Sequence, residues 1–263
     1  MKLGVVGYTV RFHTFTPEQV EETYRKISAL GYDGLENPLG SKFFTPAEEL
    51  DLLKKYNLSI AVPAGGDLND PDKCMRLCEE YDVNILGISS IPGEMMNSVD
   101  GFKAYAQQMN KWAAPFKGTG IRLKYHNHSQ EFRNFPELGG KSGMDIFFEE
   151  TDPELVCFEL DTHWVAGAGA DPAAWIRKAK GRIPLVHYKD FAIDWKAEDV
   201  GLGSITKRYA EVGQGNINWE NVAQATKEAG CEWIFVEQDR TPGCAFESLK
   251  TSIDFINKLG VRF

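Results

Sequence analysis

Histidines and carboxylates gather at the ends of short apolar runs, and these residues could do chemistry. One run closes on Tyr125-His126-Asn127-His128, with Glu131 just after it. Others close on Glu159-Leu160-Asp161-Thr162-His163, on His187-Tyr188-Lys189-Asp190, on Glu237-Gln238-Asp239 and on Glu36-Asn37. Four of the five histidines lie at such ends, and His13 falls in the loop after the first run. Carboxylate oxygens with one or two imidazoles suit Mn²⁺, Mg²⁺, Co²⁺ or Zn²⁺. No thiol stands beside them, which argues against a structural zinc site of the cysteine type. A divalent ion next to a polyol or keto sugar polarises the carbonyl and acidifies the adjacent C–H or O–H. Neighbouring carboxylates and imidazoles can then move the proton.

The elements that must position these groups repeat. A short apolar run, a polar or glycine-rich corner and an amphipathic stretch recur eight times, from Val5–Tyr8 with Pro17–Leu30 to Trp233–Gln238 with Phe246–Leu259. Thr16-Pro17, Thr45-Pro46, Asp70-Pro71 and Asp171-Pro172 each place an N-cap residue before a proline at the first helical position. Gly31, Gly230 and Gly260 fall where left-handed C-caps belong. Alternating strands and helices imply a parallel sheet. Eight units with no linker favour an α/β fold closed as a single (β/α)8 TIM barrel over residues 1–263. Its active site would form at the C-terminal strand ends, where the polar residues lie. The connection from Phe191 to about Asn218 is long enough to be functional or mobile.

Composition narrows the partners. The chain has 263 residues, 38 acidic against 29 basic, and a net charge of −9. An acidic balance argues against nucleic acid as a partner. No apolar run reaches the length of a membrane span, and Met1–Gly7 reads as a short strand, not a signal peptide. A cytoplasmic location is the expectation. The five cysteines form no C-x-x-C pair. Cys74 and Cys78, one helical turn apart, are expected to be buried thiols in a reducing compartment.

Among the site residues, Asp161 is expected to point into the barrel and Glu159 toward the helices, where it would need an Arg or Lys partner. His187 and Glu237 are expected in the site, with at least one of His126 and His128. Lys189 would meet substrate or pair with Asp190. Trp164 could wall a sugar.

Taken together, YHNHSQEF at 125–132, FELDTHW at 158–164, AGADP at 168–172, VHYKDF at 186–191, EVGQGNINW at 211–219 and FVEQD at 235–239 resemble the sugar phosphate isomerase/epimerase superfamily. Its barrel is like that of xylose isomerase. The resemblance implies one divalent metal ion held from strands 5 to 8, here by His126 or a residue near it, Asp161, His187 and Glu237. It also implies a substrate contact from the histidine after the strand-6 aspartate, which matches His163 with a displacement of one position. The sugar epimerases carry a glutamate, one of two acid/base carboxylates, where this chain has His126. Either Glu131 folds back to take the metal or base role, or the chemistry differs.

The expected activity is that of a metal-dependent isomerase or epimerase of a sugar or sugar derivative. Glu237 with Glu131 or His128 would move the proton, and His163, Lys189, Trp164 and Glu36 would contact substrate. A lyase on the same barrel, a dehydratase or an enzyme eliminating from a 3-keto-glycoside, is the alternative, slightly favoured by His126. A non-catalytic sugar- or metal-binding barrel ranks third. The partner is a small sugar, with no nucleic acid and no membrane, and a homo-oligomer is compatible with all of this.

Overall fold

The computed structural model describes residues 1–195 and 205–261. Its barrel strands are β1 (Lys2–Val5), β2 (Gly34–Leu35), β3 (Ser59–Ile60), β4 (Ile85–Ile88), β5 (Arg122–His126), β6 (Val156–Asp161), β7 (Leu185–Tyr188) and β8 (Trp233–Val236). All ladders between them are parallel, and they run in the order β3, β2, β1, β8, β7, β6, β5, β4. The pairing of β1 with β8 curls the sheet into the expected barrel. Among the described residues no ladder joins β3 to β4.

The helices are α1 (Pro17–Ala29), α2 (Pro46–Lys55), α3 (Pro71–Tyr81), α4 (Val99–Ala113), α5 (Gly143–Glu150), α6 (Thr162–Gly167), α7 (Pro172–Lys178), α8 (Trp219–Ala229) and α9 (Ala245–Lys258). The proline-started helices are capped as their sequences imply: the side chains of Thr16, Thr45, Asp70 and Asp171 accept from first-turn amides. Gly31, Gly230 and Gly260 have φ of +91°, +75° and +60°, the left-handed conformation that ends a helix. Cys74 and Cys78 are buried free thiols on α3. No described helix is long and apolar enough to cross a membrane.

Residues two apart on a strand share a face, and this rule builds the barrel interior in layers. At the bottom, Leu185, Trp233 and Phe235 pack with Val6, Ala61, Val62 and Ile85. Gly4 leaves room for Phe235, because a Cβ at position 4 would lie 2.5 Å from that ring. One step higher on the same strands come His187 and Glu237, with Lys124, Glu159 and Glu36 from their neighbours. The inward faces of β7 and β8 thus turn from apolar to charged at their C-terminal ends.

The long connection after β7 forms an antiparallel ribbon, Asp190–Trp195 with Ile205–Ala210. Residues 196–204 of that connection lie outside the described residues. A side-chain clasp ties the ribbon to the segment that leads into α8: the Asp190 carboxylate accepts from the amides of Gly213 and Gly215 and from the Trp219 indole at 2.6 Å. A Cβ at position 215 would lie 2.2 Å from Asp190 Oδ1, so only glycine fits there.

Candidate active site

A cavity of about 520 Å³ opens at the C-terminal strand ends, lined by Glu36, Lys124, His126, His128, Glu159, Trp164, His187, Lys189, Glu237 and Asp239, with Tyr8, Asn37, Ser89 and Ser90 at its rim. Two clusters share His187. In the upper one, Nδ1 of His187 lies 3.1 Å from Glu237 Oε2 and 4.0 Å from Asp161 Oδ2. In the lower one, Nε2 of His187 lies 3.1 Å from Glu36 Oε2 and 3.2 Å from Glu159 Oε1. The Lys124 ammonium bridges Glu36 and Glu159. His126 Nδ1 approaches Glu159 Oε2 at 3.5 Å without completing a hydrogen bond.

Asp161 ends β6 and caps α6 at once. Its Oδ1 accepts from the amides of His163 and Trp164, at 2.9 and 3.4 Å. Its Oδ2 is buried with no hydrogen-bond partner. Asn127 holds the Asp161 amide at 3.0 Å, which fixes the strand end. Lys189 points to the same mouth, 2.7 Å from Asp239, 3.2 Å from Glu237 and 3.6 Å from Asp161. Its ammonium also lies 5.0 Å over the Trp164 ring.

Burial and charge act against each other here. Burial alone would drive His187 neutral, but Glu159, Glu237 and Glu36 hold its pKa well above the usual imidazole range. Burial likewise disfavours ionised Glu159 and Glu237, yet the charge of His187 on Glu159 and its hydrogen bond to Glu237 hold both well below the ordinary value. Glu36 is lowered too, because Lys124 and His187 outweigh burial and the charge of Glu159. Asp161 goes the other way, raised to about 6 by burial, with Lys189 opposing and Glu237 adding to the rise. Lys189 is held charged against its burial by Asp161, Glu237 and Asp239.

The donor set fits a divalent cation. His126, Asp161 and His187 each bring one ligand atom within 4.8 Å of the other two, and Glu36, Glu159 and His187 do the same below. Asp161 Oδ2 is a bare buried carboxylate oxygen aimed at this space. Five buried or near-buried carboxylates (Glu36, Glu159, Asp161, Glu237, Asp239) face two ammonium groups (Lys124, Lys189), an excess of negative charge that a cation would offset.

Several expected residues converge: His126, His128, Asp161, His187, Glu237, Lys189, Trp164 and Glu36. Others do not. Glu131 lies away from the cavity, because its two oxygens accept from the Tyr125 hydroxyl at 2.6 Å and from the His128 amide at 2.8 Å. It shapes the turn after β5 and is not poised as a base. His163 packs under the ribbon, stacked on Tyr209 at 5.0 Å with Nδ1 3.4 Å from the Asp190 carbonyl, and does not line the cavity. Lys189 pairs with Asp239 and Glu237, not with Asp190. Glu159 faces inward, not toward the helices, because it lies two positions from Asp161 on one strand. Lys124 is the lysine partner it needs, and its side chain also lies inside the barrel. Sequence reasoning passed over Lys124 and named Asp239 at its strand end without giving it a role, although each lies two residues from a recognised inward group. His13 packs on Phe246 at 4.9 Å, away from this cavity.

Comparison with known proteins agrees with this architecture. Residues 24–259 match the model of the xylose isomerase-like TIM barrel family. An inosose dehydratase of Mesomycoplasma hyopneumoniae (strain 7448) is 26% identical over 269 residues, covering 89% of this chain and 86% of that protein. A sugar phosphate isomerase/epimerase from Parabacteroides distasonis ATCC 8503 superposes with a TM-score of 0.76 at 22% identity, covering 97% of this chain and 93% of that one. The IolI protein, whose crystal holds a zinc atom, superposes with a TM-score of 0.68 at 16% identity, covering 98% of both chains. With its fold and strand-end cavity in place and nine-tenths of its length matched, the chain belongs to the xylose isomerase-like TIM barrel family.

Proposed function

We propose that the chain is a divalent-metal-dependent lyase of the dehydratase type, acting on a small polyhydroxylated ketone such as a keto-cyclitol or keto sugar. The reaction removes a proton next to the carbonyl and expels the hydroxyl of the next carbon as water, leaving an unsaturated ketone. His126, Asp161, His187 and Glu237 would hold the ion, which supplies Lewis-acid polarisation of the carbonyl. His128 offers a base at the mouth: burial keeps its imidazole neutral, with the pKa pushed down to about 4, and its Nδ1 has no partner. Glu237 is the second candidate for the proton. Lys189, charged and close to Trp164, would steady negative charge growing on the substrate oxygen. The Trp164 ring offers an apolar face to the C–H side of a sugar.

One observation carries the preference for elimination. Inverting one carbon calls for proton-transfer groups on both of its faces. Glu131, the carboxylate after β5 expected to complete a glutamate pair with Glu237, is tied into the turn. The dehydratase relatives support the same direction. Epimerisation stands as the second reading, favoured by the unpartnered His128 nitrogen on the β5 side. Mass analysis of keto-cyclitols and ketoses incubated with the Mn²⁺-loaded protein in D₂O separates the two. Loss of one water supports the lyase, and retained formula with one deuterium would replace it with the epimerase.

A further inference from the structure

Lys124 has no role in the chemistry above, yet it is buried in the barrel centre with 4% of its surface exposed. An ammonium withdrawn from water at this depth needs charge partners. It has two, Glu159 from the neighbouring β6 and Glu36 from the end of β2 across the barrel, both themselves buried. These are the two carboxylates that face Nε2 of His187, and Glu159 also approaches Nδ1 of His126. The space for the lysine stem is built in: a Cβ at Gly87 would come within 3.0 Å of Lys124 Cε. Glu36, Glu159 and His187 bring ligand atoms within 4.8 Å of one another, and the Lys124 ammonium already sits between the two carboxylates.

From this geometry we infer that Lys124 is a positioning residue, the resident cation of the lower cluster, which pins Glu36 and Glu159 beneath the two imidazoles that the upper cluster uses. Each ring spends one nitrogen toward a carboxylate below and keeps the other for the ion above. Carboxylates behind metal-ligating histidines fix ring orientation and tautomer and raise ligand basicity. One carboxylate, Glu159, serves both rings here, so its own placement matters twice. Because Lys124 supplies the positive charge, the lower cluster takes no metal, and the protein binds one ion per chain.

The inference rests on the metal reading proposed above, and calorimetric titration of the chelator-stripped full chain with Mn²⁺ tests the two separately. Wild type should bind one Mn²⁺. Lys124→Met, with folding checked by circular dichroism, should bind it roughly 10–100-fold more weakly, the usual cost of losing such a supporting group. Because Lys124→Met strands buried carboxylates, Lys124→Met/Glu36→Gln is run beside it. The double variant removes one charge of each sign and should show the same weakening. A purely structural lysine would lower the thermal midpoint and leave the affinity of the folded protein alone. An affinity within twofold of wild type in either folded variant would overturn the inference, as would two Mn²⁺ per wild-type chain. Wild type that binds no Mn²⁺ would overturn the metal reading itself, and this inference with it.

Discussion

Asp161 and His187 are registered partners across the β6–β7 ladder, and their side chains converge with Oδ2 4.0 Å from Nδ1. The aspartate divides its work. Oδ1 caps α6, and Oδ2 is buried without a hydrogen bond, 3.6 Å from the Lys189 ammonium. The two roles can be separated by substitution. Asp161→Asn keeps an oxygen for the cap and loses the charge, so Mn²⁺ should bind at least about 10-fold more weakly with the thermal midpoint little changed. Asp161→Ala should show the same loss and also destabilise the fold by about 1 kcal/mol through the missing cap. Equal Mn²⁺ affinity in Asp161→Asn and wild type would remove Asp161 from the ligand set.

Glu131 gives the opposite pattern. Its carboxylate is buried, pushed above the usual range by that burial, and both oxygens accept hydrogen bonds within its own turn. Glu131→Ala leaves the Tyr125 hydroxyl and the His128 amide without their acceptor, at a cost of roughly 1–3 kcal/mol. Urea denaturation should report that loss while the Mn²⁺ affinity stays within twofold of wild type. A collapse of metal binding in a well-folded variant would return Glu131 to the site.

Lys189 competes with any cation for Glu237 and Asp161. At an effective dielectric constant of about 20, two unit charges about 4 Å apart interact by about 4 kcal/mol. Part of that repulsion should be relieved when the ammonium is removed. Lys189→Met is therefore expected to bind Mn²⁺ roughly tenfold more tightly while turning over substrate more slowly. Weaker binding in that variant would mean that Lys189 organises the carboxylates more than it repels the ion.

Acid should destabilise the fold through two histidines. Burial first, then the charge of Lys189, pushes His163 down to about 4. His128 is pushed to about 4 by burial, His126 and Lys189. Both titrate near 6.5 when unfolded. Between about pH 6.5 and 4 the unfolded chain binds protons that the folded chain refuses, so stability falls as the pH drops through that window and levels off for these groups below about 4. Each contributes on the order of 1–3 kcal/mol. Urea midpoints in chelator at about pH 7, 5.5 and 4.5 check this, and His163→Gln should flatten the slope. An unchanged slope in His163→Gln would show that His163 is not the group responsible.

The barrel was legible because its signals are local. Threonine or aspartate before proline, and glycine after the last apolar residue, mark helix ends wherever they occur. The upper cluster was legible because barrel strands deliver their C-terminal residues to one mouth. Lys124 and Glu159 are legible too once strand parity is applied: Lys124 and His126 share a face, as do Glu159 and Asp161. Strict alternation along β5 and β6 places Lys124 and Glu159 inside with the expected ligands. What stayed hidden depends on local backbone path. Whether Glu131 reaches the cavity depends on the short turn at Gln130–Phe132, and whether His163 does depends on how the ribbon covers α6. Neither path is encoded by residue type or spacing.

Everything proposed for the mouth depends on one divalent ion binding at the upper cluster. Anomalous diffraction from crystals of the wild-type protein grown with Mn²⁺ tests this most directly. The expected result is a single anomalous peak per chain, within coordination distance of His126, Asp161, His187 and Glu237, with Lys124 still between Glu36 and Glu159. A peak in the lower cluster, or none at the mouth, would contradict it.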